Sequence, residues 1–375
     1  MKPRVVVLRG TAASPWELRP WERLHGAGAA DVAVVVPPDN QYDTATVGLP
    51  QAEVGTLSAR LPPGRVGGVL LKGLGQRHLG LADALAGADV VHAAELGYWF
   101  SWQAARLKPR LGYKLALTVW ETLPFVDAYR NVRTRRYRRE VLAATDLFLA
   151  VTERARDALL LEGAPDERIE VCPPGIDVER FAGGQVAAPA GGTRTLLSIG
   201  RLVWEKGHQD LLRAVALLRT RGHDDLRVAI VGVGPEEKRL KAVAHDLGIA
   251  ATVDFRGGIP HDEVAAAFAA ADSLVLASIP TAYWEEQFGM VLAEAMAAHL
   301  PVVAAASGAI PEVLGGYGTL FEPGDWRGLA DVLAAGPLAQ PAGTRTPPDA
   351  ALLERYSAAA AAGRLETAYA RLLGR

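Results

Sequence analysis

Short runs of Val, Ile, Leu and Ala recur along the chain, separated by amphipathic or alanine-rich stretches. In the first half they are RVVVL (4–8), VAVVV (32–36), ADVVHA (88–93), KLALTV (114–119) and LFLAV (147–151). Runs this short and this continuously apolar suit strands buried on both faces, as in a parallel sheet covered by helices. ERARDALLLEG (153–163) predicts a helix closed by glycine. CPPGIDVERF (172–181) then breaks the rhythm, and GGQVAAPAGGT (183–193) has the composition of a linker. The alternation restarts with TLLSIG (195–200), LRVAIVG (226–232), ATVDFRG (251–257), DSLVLAS (272–278), LPVVAAA (300–306) and GTLFEPG (318–324). Between them HQDLLRAVALLRTRG (208–222) and EEKRLKAVAHDLG (236–248) predict helices ended by glycine, and residues 354–373 predict one terminal helix. The pattern therefore predicts an α/β protein of two doubly wound, Rossmann-like domains, 1–182 and 194–353, with a linker at 183–193 and a helical tail at 354–375.

Composition narrows this picture. A length of 375 residues suits two domains, and half the residues are hydrophobic, enough for two cores. Lys and Arg total 40 against 42 Asp and Glu, so no overall field points to nucleic acid. One cysteine, Cys172, excludes a disulfide framework. The N-terminus enters an apolar strand directly, without the features of a signal peptide, and no apolar run reaches the roughly 18–20 residues of a membrane span. A cytoplasmic setting is expected.

In doubly wound sheets, ligands bind beyond the carboxyl ends of the strands. Unusual residues of the second half cluster there. In SIGRLVWEKGHQDLL (198–212), Gly200, Arg201 and Lys206 stand where a strand gives way to a helix, so two cations and helix-start amides can converge on an anion. Taken singly, either cation reads better as surface charge. In VGVGPEE (231–237), Gly232 and Gly234 form a tight turn where backbone can approach a ligand, although a full dinucleotide fingerprint is missing. YWEEQFGMVLAEAMAAHLPVVAA (283–305) carries Glu286 and Glu294, with seven residues between them. Phe288 and Gly289 open a helix, which places Glu286 just before it and Glu294 about one and a half turns inside. Glu286 also suits an ordinary helix cap, whereas Glu294, set among apolar residues, needs hydroxyl or amide partners.

Together these segments resemble the retaining, nucleotide-sugar-dependent glycosyltransferases of family 4, which have the GT-B fold. The resemblance spans the second half, including VDFRGGIPHDEVAAAFAAADSLVLAS (253–278) and EQFGMVLAEAMAAHLPVVAAASGAIPEVL (286–314). It implies two domains facing across a cleft, the first on the acceptor side and the second holding the donor, with the terminal helix packed back on the first. It also implies roles. Arg201 and Lys206 would hold the donor diphosphate and stabilise charge on the departing nucleotide, and Glu286 would lie beside the transferred sugar. Glu294 would bind the ribose hydroxyls, and the amides of Phe288, Gly289, Met290 and Val291 would meet sugar and phosphate. The turn at 255–260, with Arg256, Gly257 and Ile259, falls where the family holds the base. No Asp-x-Asp motif occurs, so the cations would replace a metal ion, and no cofactor is expected.

The first half matches less closely. Gly10, after the first apolar run, stands for the family's glycine-rich turn, and Trp120 and Glu121 take the place of a histidine that faces the sugar in many members. Trp120 would stack on a sugar and Glu121 would bind hydroxyls, or they would pack and cap the local chain. His92 is a further possible contact or a structural histidine. YRNVRTRRYRRE (129–140) sets six arginines between Arg130 and Arg139. They form either a solvated face or a contact with anionic lipid at the inner membrane surface. The resemblance implies hexose transfer, with retention, from a nucleotide diphosphate sugar to an acceptor hydroxyl. UDP is the default nucleotide, with GDP-mannose open, and the acceptor is a glycan, a lipid-linked sugar or a small molecule. A sugar phosphorylase or nucleotide-sugar epimerase of the same fold, and a non-catalytic two-lobed sugar-binding protein, are the alternatives.

Overall fold

A computed structural model describes residues 2–62, 64–126, 132–182 and 192–375. The chain divides into two compact units, Met1–Ile176 with Arg355–Arg375, and Asp177–Glu354. The first contains β1 (Arg4–Leu8), β2 (Asp31–Val36), β3 (Gln51–Glu53), a small antiparallel pair β4 (Gly55–Thr56) and β5 (His78–Leu79), then β6 (Val90–Ala94), β7 (Lys114–Val119), β8 (Leu147–Ala150) and β9 (Ile169–Val171). Its main sheet is parallel, in the order β3-β2-β1-β6-β7-β8-β9. Every strand expected from an apolar run is present. The edge strands β3 and β9 were not expected, because three-residue edges that are only partly buried leave no such run.

The second unit holds β10 (Arg194–Ile199), β11 (Leu226–Val231), β12 (Val253–Gly257), β13 (Ser273–Leu276), β14 (Val302–Ala305) and β15 (Thr319–Phe321). They form a parallel sheet ordered β12-β11-β10-β13-β14-β15. The order reverses between β10 and β13, and such a switch point opens a crevice at the strands' carboxyl ends. Helices His208–Thr220 and Trp326–Ala335 bury Leu211, Leu212, Val215, Leu329 and Leu333 against the sheet, which itself contributes Leu196, Val228, Ile230, Val275 and Val303. Fully buried aliphatic side chains each stabilise the fold by roughly 1.5–3 kcal/mol.

Two boundaries differ from those expected. The units divide after Ile176 rather than at 182, because the short helix Val178–Phe181 sides with the second unit, with the Phe181 ring 5.8 Å from that of Phe268. The proposed linker at 183–193 lies outside the described residues apart from its last two. The tail is two helices, Ala350–Arg355 and Ala358–Leu372, not one over 354–373. Between them Ser357 is extended, pairs in parallel with Ile176, and its hydroxyl accepts from the Ala360 amide to start the second helix. That helix packs on Pro15–Gly26, within the first unit, through Trp21, Leu365 and Tyr369.

Candidate functional site

The second unit buries several polar and charged side chains in the segments that follow its central strands, among them His208, Ser278, Glu286 and Glu294. β10 ends at Ile199, and the chain runs through Gly200, Arg201 and a short 3-10 turn, Trp204–Lys206, into the helix that starts at His208. The Arg201 backbone is pinned from three sides: Gly200 and Leu202 donate to the carbonyls of Val231 and Val233, while Val203 and His208 Nε2 donate to the Arg201 carbonyl. Its side chain is exposed. His208 is buried, and its Nδ1 takes the Ser198 hydroxyl at 3.0 Å. Burial lowers its pKa to about 4, with the Lys206 charge adding to the fall and the bond to Arg201 opposing it.

Gly207 brings Lys206 into place. It is left-handed, at φ 67°, and a Cβ there would stand 1.8 Å from the Ala277 carbonyl oxygen, just beyond β13. Two loops of adjacent strands thereby touch. The Lys206 stem lies over Gly200, and its ammonium donates to Glu286 Oε2 at 2.7 Å and faces the Trp284 ring at 5.1 Å. Ser278 Oγ donates to the same Oε2 at 2.7 Å. Among the described residues Glu286 Oε1 has no hydrogen-bond partner. The Glu286 carbonyl accepts the Ala309 amide, which holds the segment to the loop after β14.

The helix Met290–Ala297 opens after Gly289, its N-cap, so the amides of Met290 and Val291 lie in the first turn, where helix geometry leaves N–H groups without intrahelical acceptors. Phe288 fills the core with its side chain. Glu294 is buried one turn further on, and its Oε1 accepts His261 Nε2–H at 2.9 Å. Its Oε2 has no partner among the described residues. Sequence reasoning had not singled out His261, Ser278 or Trp284. Only its place directly after the 255–260 turn marks His261 in the sequence.

Other expected contacts are placed differently. Gly232 and Gly234 do permit a close approach, but by the chain itself. A Cβ at Gly232 would stand 1.8 Å from the Gly200 carbonyl oxygen, and one at Gly234 2.3 Å from that of Leu202. Their bareness knits the loops after β10 and β11 together. Arg256 pairs with Asp254 at 2.8 Å, the Gly257 carbonyl accepts the Gly232 amide at 2.7 Å, and Ile259 is half-buried in the same turn.

In the first unit the structure decides between several readings that the sequence left open. His92 is fully buried, with Nδ1 2.5 Å from the Tyr369 hydroxyl and Nε2 2.7 Å from Thr118 Oγ1. Both ring nitrogens are spent inside the core and the pKa is driven well down by burial, so His92 is structural and not a sugar contact. Glu121 caps its own chain: Oε1 accepts the amides of Thr122 and Leu123. Trp120 is half-buried against the sheet core. The space beside Gly10 is filled by the Phe100 ring, 2.6 Å from where a Cβ would lie, rather than left open to a ligand. Of the arginine-rich stretch, the described side chains fit the solvated-face reading apart from Arg138. Arg138 turns inward to form a buried ion pair with Glu162, Arg136 is exposed but pairs with Glu140, and Arg135 and Arg139 are exposed as well. Arg130 lies outside the described residues.

Comparison with known proteins bears on the family and the fold. Residues 185–335 match the family "Glycosyl transferases group 1", and residues 22–180 match "Glycosyltransferase Family 4". The chain is 33% identical over 303 residues to D-inositol 3-phosphate glycosyltransferase 1 of Catenulispora acidiphila, covering 73% of this chain and 70% of that one. It is 33% identical over 185 residues to the GDP-mannose-dependent alpha-(1-6)-phosphatidylinositol monomannoside mannosyltransferase of Mycobacterium tuberculosis, and there it spans about half of either length, 47% and 48%. The fold is shared with the Anabaena protein HepE, solved with UDP and glucose, at a TM-score of 0.75, 18% identity and coverage of 97% and 98%.

Proposed function

The chain belongs to the family 4 glycosyltransferases of the GT-B fold, and from that premise we propose that it transfers a hexose, with retention, from a nucleoside diphosphate hexose to an acceptor hydroxyl. One observation carries the reading. Around the switch point, the loop after β10 carries a fixed ammonium and an exposed guanidinium, a helix starts after β13, and two buried carboxylates each keep one oxygen uncommitted among the described residues.

Transfer breaks the bond between the anomeric carbon and the diphosphate oxygen and forms one to the acceptor oxygen. Negative charge collects on the leaving diphosphate. Arg201, Lys206 and the first-turn amides oppose that charge, and because Lys206 is already held by Glu286 and Trp284, little reorganisation accompanies the reaction. Glu286 Oε1 takes a hydroxyl of the hexose, and Glu294 takes the ribose hydroxyls. The acceptor approaches on the face the diphosphate leaves, and its proton passes to the departing phosphate oxygen, so no enzymic nucleophile is called for. On this reading the cations stand in for a metal ion.

UDP is our default nucleotide. The mannosyltransferase relative's name favours GDP-mannose as the second candidate, and both relatives' names contain inositol, which adds a cyclic polyol to the glycan, lipid-linked and small-molecule acceptors to be tried. The test is a thermal-shift panel of UDP, GDP, ADP and dTDP, alone and as their common sugars, in EDTA, with wild type beside Glu294→Ala. One nucleotide should raise the melting temperature by mass action, and less so in the variant. Folded protein showing no shift with any of them at millimolar concentration would overturn the reading and return the phosphorylase, epimerase and binding-protein alternatives.

A further inference from the structure

Glu294 is held by a relay of side chains that the transfer mechanism above does not use. Arg180 Nη1 lies 3.1 Å from His261 Nδ1, and His261 Nε2 lies 2.9 Å from Glu294 Oε1. A guanidinium can only donate, so Nδ1 must accept and the ring proton sits on Nε2, where it points at the carboxylate. The imidazole is clamped as well: the Phe181 ring meets it edge-on, with centroids 6.2 Å apart, and Phe181 is itself buried against Phe268. The carboxylate and the imidazole are both shielded, with 8% and 21% of their side-chain surface exposed, so the bond between them competes little with water. One oxygen of Glu294 is thereby fixed in direction, and with it the plane of the other.

We propose that His261, oriented by Arg180, is a positioning residue for the nucleotide: it sets the carboxylate plane of Glu294 so that both oxygens face the two ribose hydroxyls. This rests on the donor-site reading, in which Glu294 binds ribose. Two adjacent hydroxyls donating to one carboxylate demand a particular plane, and a buried side chain free to rotate would lose that geometry. Arg180 belongs to the segment Val178–Phe181 that begins the second unit, so the chain entering this unit supplies the far end of the relay.

The probes are UDP and GDP, each as the ribose form and as the 2′,3′-dideoxy form, titrated calorimetrically into the full chain. His261→Phe keeps the ring and removes the donor, His261→Leu, which also lacks the donor, serves if the phenylalanine variant fails to fold, and His261→Gln keeps a donor near Nε2. For the ribonucleotide that binds, His261→Phe should raise Kd about tenfold, a loss typical of one hydrogen bond to a charged group, and His261→Gln should recover most of it. The dideoxy form should bind wild type and both variants within about twofold of one another, because it lacks the hydroxyls that Glu294 receives. Equal weakening of both forms would mean general damage to the site, and no weakening would mean an idle contact; either overturns the proposal. If wild type itself fails to distinguish ribose from dideoxyribose, and Glu294→Ala changes nothing, the donor-site reading fails first and the relay with it.

Discussion

At the residue scale, the site depends on buried polar side chains. His208 shows how such a residue serves its neighbours. It is buried, yet it ties the Arg201 carbonyl to Ser198 and so fixes the backbone that carries an exposed guanidinium. Its pKa is lowered to about 4 against the ordinary 6.5, so between those values the unfolded chain binds a proton that the folded one excludes. Stability must therefore fall as the pH drops from about 6.5 toward 4. Replacing His208 with Gln removes that titration. The melting temperature of the variant should decline less steeply across this window than that of wild type, and parallel curves would show that His208 carries none of the acid sensitivity.

At the scale of elements, the loops after β10, β11 and β13 are bound to one another more closely than any pattern along the chain suggests. The contacts run through bare glycines, and Gly207 is the tightest case relevant to chemistry. Alanine there meets both a left-handed φ of 67° and a carbonyl oxygen 1.8 Å from its Cβ. Gly207→Ala should cost about 3 kcal/mol in denaturant unfolding and, by displacing Lys206, should weaken binding of the nucleoside diphosphate. A variant as stable as wild type would show that the loop yields freely. The helices and strands themselves were legible in the sequence wherever they carried a continuous apolar run or an amphipathic stripe ended by glycine. β3 and β9 were not legible, since an edge strand of three residues buries too little to leave a pattern.

At the scale of the whole molecule, the first unit is completed by the end of the chain. Tyr369, from the last helix, accepts the Trp21 indole N–H at 2.9 Å and meets His92 Nδ1 at 2.5 Å, deep in the first unit's core. Tyr369→Phe leaves both partners buried without the hydroxyl, and should destabilise the protein by about 1–3 kcal/mol. Nucleotide affinity should stay unchanged in this variant, because every residue assigned to the nucleotide under the proposed function belongs to Asp177–Glu354. A change in nucleotide Kd would refute that independence. The sequence by itself determined the α/β class, the near-complete set of central strands and the cluster of Arg201, Lys206, Glu286 and Glu294, because hydrophobic periodicity and the strand-to-helix turns are local properties. Only the tertiary structure decided what those residues touch. That Lys206 meets Glu286, that His261 holds Glu294, that His92 is spent on Tyr369 and that Phe100 covers Gly10 follow from strand order and from which helices pack on the sheets. Side chains from 33 to 277 positions apart are brought within hydrogen-bond reach by that packing, and no spacing along the chain records it.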